Sequence, residues 1–287
     1  MDQFPETQDS PNIDDPGAPE PPGRRKIPWD GGRAILYFIF IALFSLLLGV
    51  LLYGPLGFYG SIVTSEIIGF GLIPYILSRF FDTGWEWWTR GANAGGPFWA
   101  WAAIGIVSFS IAQSNLPVLI DRVYPIPEGQ LVMFEQYLTA GSPLGLVGII
   151  LVAAVVPAIC EELSFRGLIL TGLQRSYGSI AAVIWSGFLF ALLHLNPWTF
   201  IGLWSLGCFL GYITIRLGSV WPAILLHLIN NGFALTFFYV QGKAAWEERP
   251  EFIPWYVTVV AGVALLLAIW RIHKITGAFQ EQEIAEV

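Results

Sequence analysis

The sequence predicts an all-α membrane protein, a polytopic bundle of about eight transmembrane helices. Three observations predict it. Of the 287 residues, 55% are hydrophobic and only 12% charged, roughly half the charge of a soluble domain. Apolar runs near 20 residues recur along the chain, the length a helix needs to cross a bilayer. Thirteen tryptophans and ten tyrosines suit the aromatic belts at the two membrane interfaces. The alternating ten-residue pattern of an outer-membrane barrel is absent. A formal charge of −7, carried largely by the termini, offers no basic face and argues against a nucleic-acid partner.

Residues 1–30 are rich in Pro, Asp and Glu and lack apolar periodicity, so they read as a disordered cytoplasmic tail. The first apolar run begins near Ala34. No short apolar core with a cleavage site precedes it, and the first helix is expected to be a retained signal anchor. The expected spans are 34–53, 57–79, 97–119, 144–176, 179–195, 198–216, 220–239 and 252–270. They divide the chain into the tail (1–30), N-terminal helices with a connecting loop (31–143), a helical core (144–240), and a last helix with a cytoplasmic tail (241–287). The connection 116–143, with four prolines, is expected to carry a short interfacial helix around Leu131–Leu138.

Orientation follows from the basic residues. With the N-terminus inside, Arg24, Arg25, Lys26, Arg33, Arg79, Arg90, Arg166, Arg175, Arg216, Arg271 and Lys274 fall on or toward the inside. Arg122, Lys243 and Arg249 fall outside. This bias predicts cytoplasmic N- and C-termini in an integral membrane protein; in a bacterium its membrane would be the plasma (inner) membrane. The two cysteines, Cys160 and Cys208, lie in apolar helical context without metal-ligand spacing and read as buried thiols.

Ionisable residues at membrane depth cost about 2.5–3.5 kcal/mol each on insertion scales, so each is a functional candidate. Glu66, Glu161, Glu162, His194 and His227 qualify, with Asn230 and Asn231 as neutral companions. His273, between Arg271 and Lys274, reads as a headgroup residue. Glu161 and His194 lie equally far from Tyr177-Gly178, a helix-breaking turn, and helices folded back there would bring the two to one height. At 1.5 Å per residue that height is about 25 Å from the turn. Because the fourth span is longer than a bilayer requires, its Gln174-Arg175 end is expected to project into the cytoplasm. Glu162 and Arg166 are spaced i,i+4 and read as an internal ion pair, with Glu161 on a different face. His227 and Asn231 share one face of the seventh span, also at i,i+4. Phe190, one turn before His194, reads as packing that holds its ring, and Glu66 as a polar contact or part of a cavity wall.

A desolvated carboxylate suits general-base action on water, and a neutral His can hold that water. A second His and a side-chain amide can donate to the oxyanion of a tetrahedral intermediate. Peptide hydrolysis by direct water attack requires that set and no nucleophilic side chain. Two His and a carboxylate, here Glu161, His194 and His227, equally suit Zn2+ with one open position.

The set Glu161-Glu162-x-x-x-Arg166, Phe190-x-x-x-His194 and His227-x-x-x-Asn231 resembles the three signatures of the CAAX prenyl protease and bacteriocin-processing (CPBP) family. These are intramembrane endopeptidases that include the type II CAAX prenyl endopeptidase. The resemblance covers roughly residues 144–235. It implies a conical intramembrane cavity, Glu161 as the water-activating base, and His194 as the residue that positions the water. His227 and Asn231 would stabilise the oxyanion, with Glu162, Arg166 and Phe190 in support. Family chemistry includes metal-dependent and metal-free forms, and the metal-free form is favoured here. The implied partners are a membrane protein or lipidated peptide as substrate, and the lipid bilayer. The competing expectations are a non-catalytic scaffold or immunity protein and a proton- or cation-coupled transporter.

Overall fold

The computed structural model describes residues 26–84, 94–241 and 252–285. Residues 1–25 of the expected tail, and with them Arg24 and Arg25, lie outside the described residues, as do Arg90, Lys243 and Arg249. Among the described residues the chain is all-α apart from one parallel pairing of two-residue strands, β1 (Ile27–Pro28) and β2 (Phe81–Asp82). Six helices are long and apolar enough to cross a membrane: Gly31–Phe80, Gly96–Val123, Pro143–Leu193, Phe200–Leu217, Trp221–Gln241 and Trp255–Gly277.

Two of the six are too long for one crossing. Gly31–Phe80 has 50 residues and Pro143–Leu193 has 51; a straight helix of that size would run about 75 Å, against a hydrocarbon core of about 30 Å. Each is broken at a glycine in a backbone conformation that side chains rarely adopt, Gly57 (φ 68°, ψ −174°) and Gly178 (φ 79°, ψ 169°). The chain reverses at both. Gly49 approaches Ser65, and Gly69 packs on Ser45, pairs placed symmetrically about Gly57. The rings of Phe165 and Phe190 meet at 5.2 Å across Gly178.

Helix α1 (Gly31–Ser65) continues through a π-helical segment, Glu66–Leu72, into α2 (Ile73–Phe80). The long middle helix runs as α6 (Pro143–Ile150), α7 (Val156–Ser164) and α8 (Leu170–Leu193), joined by π segments Leu151–Val155 and Phe165–Ile169. Between these lie α3 (Gly96–Gln113), α4 (Asn115–Val123) and α5 (Glu128–Leu138), the last being the helix expected in the connection. Helices α9 (Phe200–Leu217), α10 (Trp221–Gln241) and α11 (Trp255–Ala285) complete the bundle. Extra residues in a π turn widen the helix locally, and such turns recur at functional sites.

The described residues begin within the segment expected to be a tail, and Lys26–Asp30 of it are structured. Trp29 is buried, its indole donates to the Leu168 carbonyl at 2.9 Å, and it packs edge-on against Tyr37 and Phe81. The backbone N–H of Gly31 donates to Ser176 Oγ at 2.8 Å, and Arg175 pairs with Asp82 at 3.6 Å. These contacts gather the start of α1, the end of α2 and the Gly178 turn at one end of the bundle. Gly172 lies beside Asp30 and Ala34, and Ser176 and Tyr177 reach Gly31, so the stretch up to the Gly178 turn packs along the start of α1. His273 is exposed and meets the Tyr212 hydroxyl at 3.2 Å. Both cysteines are free, Cys160 buried and Cys208 half-buried.

Candidate active site

Three elements supply the polar side chains: α7 with its following π segment, the end of α8, and α10. Pro157 comes directly after the π segment Leu151–Val155, within the continuing helix, where its missing N–H removes one backbone bond. One turn later come Glu161 and Glu162, both buried. Arg166 is fully buried, with Nε 3.0 Å from Glu162 Oε2. Its Nη2 donates to the Gly207 carbonyl at 3.3 Å. The cation also lies over the Phe190 ring, 5.1 Å from its centroid.

Access to the Gly207 carbonyl depends on a helix crossing without side chains. A Cβ on Gly207 would stand 2.6 Å from Gly187 Cα, and one on Gly187 would stand 2.8 Å from the Cys208 nitrogen. Only glycine at both positions lets α8 and α9 touch backbone to backbone.

His227 is buried, and its Nδ1 lies 2.9 Å from Glu162 Oε1. A carboxylate accepts, so Nδ1–H donates. That leaves Nε2 toward Glu161, 3.8 Å from its Oε2. Glu162 therefore holds His227 as well as Arg166. His194 caps the end of α8, with Nδ1 2.9 Å from the Phe190 carbonyl. A carbonyl can only accept, so Nδ1 carries the proton and Nε2 presents a lone pair. Leu195 directly after it has φ 49°, a left-handed conformation unusual for leucine, which turns the chain sharply away from the ring. Asn196 Oδ1 then accepts from Trp198 N and Thr199 N, closing the turn. Phe190 is fully buried between the two imidazoles, 5.0 Å from the His194 ring and 5.6 Å from that of His227.

Glu161 and His194 both line a cavity of about 1240 Å³ whose wall is otherwise mainly apolar, including Phe38, Leu43 and Phe58. Glu161 Oε2 is buried and makes no hydrogen bond. Glu66 lines the same cavity, reached from the first π segment. The sequence singles out Glu66 as a polar contact or part of a cavity wall, and here it lines the cavity, whereas the two glycines of the crossing carry no signal in a single sequence. Asn231 is half-buried, and its Oδ1 accepts from Asn230 Nδ2 at 3.2 Å. Ser110 Oγ lies 3.0 Å from Asn230 Oδ1. No hydrogen bond joins Asn231 to Glu161, His194 or His227.

The zinc alternative finds no assembled ligand set. Among the described residues no three His, Cys, Asp or Glu side chains form a group that could hold a metal.

The profile of one protein family, described as type II CAAX prenyl endopeptidase Rce1-like, matches residues 143–233. No curated protein and no solved structure matches the chain. The matched segment contains Glu161, Glu162, Arg166, Phe190, His194, His227 and Asn231 together. Over this segment the chain is similar to the Rce1-like family of CAAX proteases, and its long apolar helices make it a multi-pass membrane protein.

Proposed function

We propose that the protein is an intramembrane endopeptidase that cleaves membrane-associated, CAAX-type prenylated peptides with water activated by Glu161. One observation carries this reading: a buried carboxylate oxygen without a hydrogen bond, on Glu161, in the wall of a large apolar cavity. Glu161 takes one proton from a water in the cavity, while the His194 Nε2 lone pair accepts a hydrogen bond from the water's other O–H, which stays on the attacking oxygen, and fixes the direction of attack. As the carbonyl becomes tetrahedral, its oxygen gains charge. His227 Nε2, which donates when the ring carries both protons, and Asn231 Nδ2 stabilise that charge. Glu162 supports this by holding Nδ1 of His227, and Arg166 balances the Glu162 charge. The apolar cavity suits a lipid chain attached beside the scissile bond.

The reversals at Gly57 and Gly178 support eight crossings. An even number puts both termini on one side, and the basic residues favour the cytoplasm for that side. In a bacterium the residence is then the plasma (inner) membrane. No step above uses a metal.

The test compares wild type with Glu161→Gln on an S-farnesyl CAAX peptide, with products read by mass spectrometry. Wild type is expected to release the C-terminal tripeptide and the variant to release none while keeping its thermal unfolding profile. Turnover by a folded Glu161→Gln protein would overturn the assignment.

A further inference from the structure

The cavity that holds Glu161 and His194 is a corridor, and the residues on its wall give its length. On the outbound arm of α1 they include Phe38, Ala42, Leu46, Val50 and Tyr53, three or four apart on one helical face. On the arm returning from Gly57 they include Phe58, Ile62, Glu66 and Phe70, four apart. The corridor therefore follows both arms of one reversal.

Glu161 stands toward one end. The Ser164 hydroxyl donates to the Phe70 carbonyl at 2.9 Å and accepts from the Tyr37 hydroxyl at 2.7 Å, so these three residues share a level. Glu161 precedes Ser164 on α7, which runs toward the Gly178 turn and the start of α1. It thus lies about one turn from that level in the direction of Gly57. From Glu161 to Phe58 on one arm and Tyr53 on the other, at 1.5 Å per residue, the corridor runs about 14–20 Å. Half of a bilayer's hydrocarbon core, about 15 Å, is the depth one lipid chain spans. The corridor has the length of a single chain.

Its far end is closed from outside the two arms. Tyr137 of α5 stacks on Phe58, with ring centroids 3.8 Å apart and planes 17° from parallel. The Tyr137 hydroxyl lies 3.1 Å from that of Tyr53, and the Tyr137 carbonyl accepts from the Tyr59 hydroxyl at 2.9 Å. Both arms therefore hold Tyr137. Its side chain lines the cavity with Tyr53 and Phe58, and Met133 joins them from one turn back on α5.

We propose that the Phe58–Tyr137 cap sets the longest prenyl chain the site accepts, favouring farnesyl over geranylgeranyl substrates. This rests on cleavage beside a prenylated cysteine at Glu161. With the scissile bond at Glu161 and His194, the apolar path for the attached chain runs toward Gly57. A farnesyl chain, three isoprene units, fills that path. The fourth unit of a geranylgeranyl chain must part Tyr137 from Phe58 or fold back toward the reacting bond, and either loses binding.

The experiment gives the full-length protein one CAAX peptide carrying S-geranyl, S-farnesyl or S-geranylgeranyl, at a fixed mole fraction in detergent micelles. Release of the C-terminal tripeptide is read as kcat/KM. Wild type is expected to favour farnesyl over geranylgeranyl by at least about 10-fold, the low end for a misfit of chain carbon in an apolar pocket. Tyr137→Ala removes the cap and is expected to erase that preference. Val50→Trp fills the corridor one turn before the cap and is expected to shift the preference from farnesyl to geranyl. The limit moves outward in one variant and inward in the other, which a general loss of folding cannot imitate.

Equal turnover of farnesyl and geranylgeranyl peptides by wild type would overturn the proposal, as would a farnesyl preference that Tyr137→Ala leaves in place. If Tyr137→Ala fails to fold, Val50→Trp decides, and an unchanged order of farnesyl over geranyl overturns the proposal. If wild type cleaves none of the three peptides, the endopeptidase reading fails and the cap's role falls with it. Cleavage that ignores chain length leaves that reading intact and removes the cap's role alone.

Discussion

Glu162 Oε1 stands 2.9 Å from His227 Nδ1, across 65 residues of chain, with both side chains buried. The second oxygen of the same carboxylate is 3.0 Å from Arg166 Nε. Adjacent carboxylates thus have separate surroundings. Glu162 is tied to two partners in the packed interior, while Glu161 faces the cavity.

Breaking the Glu162 pair from one side strands a buried charge. Arg166→Met leaves Glu162 without its cation, and Glu162→Ala leaves Arg166 without its anion. Either is expected to cost about 3–5 kcal/mol, seen as lost stability in denaturant titrations of the detergent-solubilised protein. Arg166→Met combined with Glu162→Leu removes both charges and is expected to recover part of the loss. A cost near zero for either single variant would show that the pair is not what holds this region together.

Gly207→Ala tests the crossing of α8 and α9. The added Cβ would lie 2.6 Å from Gly187 Cα, a backbone atom that cannot rotate away. The helices must separate, and the Arg166 bond to the Gly207 carbonyl lengthens. A cost of about 1–3 kcal/mol is expected, the range for overpacking. Gly129→Ala, where nothing lies within 4 Å of the new atom, serves as the neutral comparison.

What the sequence made legible and what it hid separate by distance along the chain. The Glu162–Arg166 contact is a neighbour relation on one helix, so spacing alone reveals it. The reversal at Gly178 is local too, since glycine is the residue that tolerates φ 79° there. The contact between His227 and Glu162 depends on how α10 packs against α7, and no periodicity within either helix encodes it. Depth alone placed Glu161 opposite His194. Both do line the cavity, yet the closer ring to Glu161 Oε2 is His227. Trp29 was hidden because its partners, Leu168 and Phe81, lie far along the chain and its own neighbours are polar or proline. The six long apolar helices and the eight expected spans differ only at Gly57 and Gly178, where backbone hydrogen bonding nearly continues through a reversal.

Gly178→Ala isolates the backbone cost of that reversal. Nothing lies within 4 Å of a Cβ at this position, so crowding is absent. The conformation itself, φ 79° with ψ 169°, is close to exclusive to glycine. Destabilisation of about 1–3 kcal/mol is therefore expected. Because Phe165 and Phe190 meet across this turn, Gly178→Ala is also expected to lower peptide cleavage by shifting the His194 end of α8. Stability equal to wild type would mean that the turn adopts another shape in the membrane.

The last prediction concerns the two asparagines of α10. Asn230 Nδ2 donates to Asn231 Oδ1 at 3.2 Å, which occupies the carbonyl end of the Asn231 amide and leaves its NH2 group to donate. If that group meets the oxyanion, Asn231→Ala should lower kcat about 100- to 1,000-fold, the usual loss for one oxyanion donor, with KM little changed because the contact forms only as charge develops. Asn230→Ala leaves the donor in place but frees the amide to rotate, so a smaller fall in kcat is expected, again without a matching change in KM. Asn231→Asp keeps the size and removes the NH2 group, and it is expected to be as poor as Asn231→Ala. A rise in KM at constant kcat in these variants would instead assign Asn231 to binding of the substrate, because uniform binding contacts leave the chemical step untouched.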